Sequence, residues 1–151
     1  MSRMQRLYQS TILAHNKNPK NFGVLDFFTH QAHGKNPLCG DDYMLYLLVD
    51  ENNCISQISF VGKGCAISKA AASMMTEHVL GQSRENVLAK KDTFLKMLRD
   101  SFDDEDKMIL GSLALFEGVK EFPVRVKCAA LIWRALEHAL SENKDIEVST
   151  E

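Results

Sequence analysis

Apolar and polar positions change their period several times along the chain, and each change marks an element. From residues 3 to 16, Met4, Leu7, Tyr8, Thr11 and Ile12 recur at helical spacing, the stripe of an amphipathic helix. "NKNPKNFG" then breaks it with turn formers. Segments at about 26–34, 42–50 and 54–62 are rich in Phe, Tyr, Val and Ile and predict strands. "DENN" at 50–53 is a turn that makes a hairpin of the last two. After "GKG" the helical period returns in Ile67, Ala70, Ala71, Met74, Met75 and Val79, with Gly81 placed as a C-cap. A second such helix is expected from about Ser83 to Arg99, with Val87, Phe94 and Leu98 facing inward.

"DSFDDED" reads as a solvated connector, and Ile109, Leu113 and Phe116 as a further helical segment. Pro123 stands where a first-turn proline begins the last helix, whose stripe is Val126, Ala129, Ala130, Trp133 and Leu140. The tail "SENKDIEVSTE" has little to bury and is expected to be disordered. Helix, three strands, then helices define an α+β fold: a small three-stranded antiparallel sheet packed against several helices. Residues 1–140 form a single domain and 141–151 a polar tail.

Composition narrows the function more than the fold. The chain has 151 residues, 45% hydrophobic and 25% charged, enough for one well-buried core. A formal net charge of -2 offers no basic patch, so no nucleic acid is expected as a partner. The apolar runs "LYLLV" and "AALIW" are too short to cross a bilayer, and no membrane role is expected. The start "MSRMQRLYQS" lacks the apolar segment of a signal peptide. A cytoplasmic protein is expected, in which reduced cysteines point to metal binding or catalysis rather than disulfides.

The four cysteines divide by context. Cys39 lies on the loop "NPLCGDDY", Cys65 opens a helix after "GKG", and Cys128 sits in the first two turns of the last helix. Loops and helix starts are places where side chains reach a cleft. Cys54, beside the hairpin turn, has no such company and reads as structural. Cys39 and Asp41, separated by a flexible glycine, can face one point, and with Cys65 and Cys128 would complete a tetrahedral thiolate-rich site. No CxxC pair occurs, so spacing alone leaves open that these are three unrelated cysteines.

Three thiolates and a carboxylate carry four negative charges, of which a divalent zinc offsets two. Arg125 and Lys127 could offset the rest, or simply form a solvated helix face; Arg125, without a free lone pair, is no ligand. His15, His30, His33, His78 and His138 show no HxxxH or HExxH spacing and read as structural or solvent-facing. Met74 and Met75 read as core.

"NPLCGDD", "GKGCAISKAAASMMT" and "FPVRVKCAALIW", in that order, resemble the IscU/NifU N-terminal/SufU family of iron–sulfur cluster assembly proteins. The resemblance runs from "YQSTILAHNKNPKNFG" to the last helix and implies the SufE/NifU-like fold, in agreement with the pattern. It implies metal-binding positions at Cys39, Asp41, Cys65 and Cys128. Two departures choose a branch. Lys127 stands where the IscU branch has a histidine, and Cys65 and Cys128 are 128 − 65 = 63 positions apart, a spacer like that of the SufU type. "EFPVRVKC" also lacks the double proline that IscU-type scaffolds offer to a chaperone, so chaperone-assisted release is not expected.

The SufU type is a zinc-containing acceptor of persulfide sulfur from a SufS-type pyridoxal-phosphate cysteine desulfurase. By that resemblance Cys39, on the most mobile support, is the sulfur-accepting nucleophile, and Arg125 steers the transferring sulfur. Downstream iron–sulfur assembly proteins are the further partners implied. Two alternatives remain at this point: a scaffold that builds an iron–sulfur cluster on the same cysteines, with iron or a cluster in place of zinc, and a non-catalytic zinc-stabilised adaptor.

Overall fold

A mostly antiparallel sheet with helices packed on one face forms the framework. The computed structural model describes residues 2–141 and 147–150. Helix α1 (Arg3–Lys17) precedes strands β1 (His30–Asn36), β2 (Asp41–Val49) and β3 (Ile55–Lys63). Helices α2 (Ala66–Val79), α3 (Arg84–Arg99) and α4 (Asp104–Leu110), a 3₁₀ segment (Gly111–Val119) and α5 (Pro123–Leu140) follow, and β4 (Glu147–Ser149) closes the described chain. The sheet order is β3-β2-β1-β4. No helix among the described residues is long and apolar enough to cross a membrane.

Alternation along the strands decides what faces the core. Ala32, Gly34 and Asn36 of β1, and Asp41, Tyr43, Leu45 and Leu47 of β2, are the buried positions. Two polar residues, Asn36 and Asp41, therefore end up on the inner face at one end of the sheet. The register pairs them directly, Asn36 opposite Asp41, around a loop of residues 37–40. Against this face pack α2 and α5, whose own stripes are almost wholly buried. Trp133 of α5 stacks on Phe94 of α3 at 4.8 Å between ring centroids, with Phe116 edge-on to Phe94 at 5.7 Å. Such pairs add to the stabilisation from burial alone.

The fold agrees with the α+β expectation and departs from it in four places. The first strand begins at His30, not near 26, because Phe27 and Phe28 stay exposed and the inward positions of β1 are the small Ala32 and Gly34. "DSFDDED" is only partly a connector: Asp103 caps α4 in a capping box with Asp106, and acids in a first helical turn suit the helix dipole. In α1 the stripe is largely unburied; Met4 and Leu7 are exposed, and Ile12 is the helix's buried residue.

The tail is the fourth. Residues 142–146 lie outside the described chain, but Glu147–Ser149 pair in parallel with His33–Lys35, adding a fourth strand to the three expected. Glu147 also meets Lys35 at 3.4 Å, and Thr150 Oγ1 donates to the Lys127 carbonyl at 3.2 Å.

Candidate metal centre

The site is assembled from three strand and helix ends. Cys39 sits in the β1–β2 loop, where Cys39 N–H donates to the Asn36 carbonyl at 3.1 Å and Gly40 N–H to that of Pro37 at 3.3 Å. Gly40 has φ +72°, a left-handed conformation that costs glycine little, and so brings Asp41 round to start β2 on the inner face. Cys128 comes from the second turn of α5, which Pro123 starts. Cys65 is the N-cap of α2, directly after β3.

One sulfur each from Cys39 and Cys128 and one oxygen from Asp41 lie within 4.8 Å of one another. Asp41 and Cys128 are buried and Cys39 half-buried. Cys65 Sγ is not among the atoms sharing that mutual distance; it accepts from Ser68 N–H at 3.4 Å instead, capping its own helix. Its main chain does reach the centre, since Cys65 N–H donates to Asp41 Oδ1 at 2.9 Å. Cys54 stands at the far end of β2, about 25 Å away for a nine-residue strand.

Donors surround the Asp41 carboxylate. Besides Cys65 N–H, Oδ1 accepts from Ser68 Oγ at 2.9 Å, and Oδ2 is approached by Asn36 Nδ2 at 3.5 Å. Tyr43 Oη lies 2.9 Å from Ser68 Oγ, and because the Ser68 hydroxyl donates to Asp41 Oδ1, the tyrosine is the donor to the serine oxygen. Burial pushes the Tyr43 hydroxyl up, keeping it in that donor form. Gly64 is required here, because a Cβ on it would stand 2.5 Å from both Asp41 Oδ1 and Ser68 Oγ. None of Asn36, Tyr43 and Ser68 was singled out as a site residue from the sequence. The signal for Asn36 was its place across the loop from Asp41.

The electrostatics favour a cation. Burial first, then hydrogen bonding with Cys39 and Asp41, push the Cys128 thiol up, and the Cys65 thiol adds to the effect. A cation at this point would favour the thiolate form of Cys128 that burial opposes. The donor set of sulfurs and one hydrogen-bonded carboxylate oxygen suits a thiolate-binding cation. Arg125, one turn before Cys128 on α5, places its guanidinium 4.6 Å over the Phe122 ring. It lines a cleft of about 460 Å³ with Met4, Tyr8, Gly118 and Phe122. The Tyr8 hydroxyl is buried there with no hydrogen-bond partner among the described residues; burial pushes its pKa up while Arg125 opposes the shift.

A small α+β domain with a buried cysteine–aspartate centre at the end of its sheet is the class that these features define. Residues 7–129 match the NifU-like N-terminal domain, and the chain belongs to that family. It is 37% identical over 151 residues to the iron–sulfur cluster assembly scaffold protein IscU of Streptococcus pyogenes serotype M1, covering 100% of this chain and 93% of the relative. It is 36% identical over 141 residues to the zinc-dependent sulfurtransferase SufU of Bacillus subtilis (strain 168), covering 93% and 94%. A crystal structure of an assembly scaffold protein for the SUF system from Fervidobacterium islandicum AW-1 superposes with a TM-score of 0.82 at 34% identity, over 91% of this chain and 98% of that one.

Proposed function

We propose that this chain is an iron–sulfur cluster assembly protein of the SufU type, a zinc-dependent sulfurtransferase that accepts persulfide sulfur from a SufS-type cysteine desulfurase. The observation that carries the reading is the convergence of Cys39, Asp41 and Cys128 within 4.8 Å, with Cys39 alone of the three open to solvent. Cys39, Asp41, Cys65 and Cys128 would hold the ion; bound zinc would keep its thiolate ligands deprotonated at neutral pH.

Cys39 rides a short loop, whereas Cys128 is locked in a core helix, so Cys39 is the sulfur that can leave the centre at least cost. As a thiolate it attacks the outer sulfur of the partner's cysteine persulfide. The partner's S–S bond breaks and a new one forms on Cys39, the electron pair returns to the partner's cysteine as thiolate, and no net oxidation occurs. Arg125, three residues before Cys128 on α5, would hold the negative charge of the incoming persulfide. Exposed Leu38, Phe122 and Val124 adjoin Cys39 and the start of α5 and offer apolar surface for the partner. The B. subtilis relative, named for zinc-dependent sulfurtransfer, supports the same reading.

A second reading is a scaffold that assembles a cluster on the same cysteines, favoured by the names of the S. pyogenes and F. islandicum relatives. Metal analysis of freshly isolated protein, with a desulfurase turnover assay, separates them. A colourless zinc protein that raises turnover supports sulfur transfer, and a brown protein that passes a cluster to apo-ferredoxin supports the scaffold. Cys39→Ala is expected to abolish the stimulation while the fold and binding to the desulfurase survive. Stimulation by the variant at wild-type level would overturn the assignment.

A further inference from the structure

We propose that Asn36 is a positioning residue of this centre: its single amide holds Asp41 and Cys128, and so leaves Cys39 as the thiol that exchanges. The inference deepens the sulfur-acceptor reading and rests on it. Asn36 is the last residue of β1 and is wholly buried. Burying a primary amide is unfavourable unless its groups are hydrogen-bonded. Here Nδ2 lies 3.5 Å from Asp41 Oδ2 and 3.7 Å from Cys128 Sγ, while Oδ1 has no partner among the described residues. The orientation follows from chemistry, since the reversed amide would face its oxygen to a carboxylate oxygen and a sulfur, both acceptors.

The main chain of the same residue accepts from Cys39 N–H, so Asn36 touches three of the four ligand residues. What it gives each differs. Cys128 sulfur receives an N–H from Asn36, and Cys65 sulfur one from Ser68 at the start of α2. Among the described residues no N–H reaches Cys39 Sγ. An N–H donor spreads the charge of a thiolate and holds its direction, and partners of this kind typically matter about 10- to 100-fold in metal affinity. Two sulfurs are thus held by donors and one is not. The one without is on the movable loop.

The test uses the full chain loaded with zinc. Brief iodoacetamide treatment followed by mapping of the modified cysteines should label Cys39 before Cys128 in the wild type; labelling of Cys128 first or together with it overturns the proposal without any variant. Asn36→Ala removes the amine, and the isosteric Asn36→Asp replaces it by an acceptor. Both are expected to lose zinc to a competing chelator about tenfold faster or more and to label Cys128 alongside Cys39. After cobalt substitution, their sulfur-to-metal charge-transfer bands should shift, a change that loss of packing alone does not produce. Circular dichroism confirms that the variants are folded. Release rates and labelling order equal to wild type in both would overturn the role of Asn36 alone. A wild-type chain that takes up no zinc would overturn the sulfur-acceptor reading, and this inference with it.

Discussion

At the scale of single residues, the centre is made of side chains whose worth depends on who stands next to them. Cys39 and Asp41 were legible because two ligand types flank one glycine in a turn-rich loop. Cys54 was separable for the opposite reason, and the structure shows what it does instead. Its N–H donates to Asp50 Oδ1 at 3.0 Å and its sulfur points at the Asn52 carbonyl at 3.7 Å, so it serves the β2–β3 turn. Cys54→Ser keeps a small polar atom there and is expected to leave zinc content and desulfurase stimulation unchanged. Loss of either, measured against wild type, would show a role that the geometry does not provide. Asn36, Ser68 and Tyr43 were illegible as site residues, since asparagine, serine and tyrosine are common and only the folded register brings them to Asp41.

At the scale of elements, the helices were plain because a stripe repeating at three and four survives in any tertiary setting. Strand positions were less so. β1 has small residues inward and aromatic residues just before it, so β-propensity drew attention to Phe27 and Phe28 rather than to Ala32 and Gly34. The start of α4 was missed because five acids in the seven residues of "DSFDDED" look like solvated loop, although Asp103 and Asp106 are good capping groups. Asp103→Ala removes the capping box and is expected to lower stability by about 1 kcal/mol, read as a shift in urea midpoint with unchanged slope. Zinc retention should not respond, because α4 contributes nothing to the centre. An unshifted midpoint would mean that α4 is held by packing alone.

At the scale of the molecule, β4 ties the end of the chain to the strand that leads into the Cys39 loop. A three-residue strand with one inward apolar position, Val148 packed against the core, is too short to announce itself by pattern; backbone pairing is joined by Glu147 set against Lys35 and Thr150 against the carbonyl of Lys127. Deleting residues 147–151 uncovers one edge of β1. The expected effect is a loss of about 1–2 kcal/mol from the few hydrogen bonds removed, with more association at high protein concentration, since a bare strand edge is a template for pairing. Denaturant titration and light scattering would show it; a deletion variant as stable and as monodisperse as the full chain would count against the strand.

The placement of Cys128 has a mechanical consequence. Its helix also carries Trp133, stacked on Phe94, so any shift of that helix would have to drag the centre of the core with it. Residues 37–40 are fastened by two main-chain turn bonds and by the Cys39 side chain at the centre. Sulfur exchange would then be a motion of four residues over a static frame, and snapshots taken before and after it should superpose everywhere but at that tip.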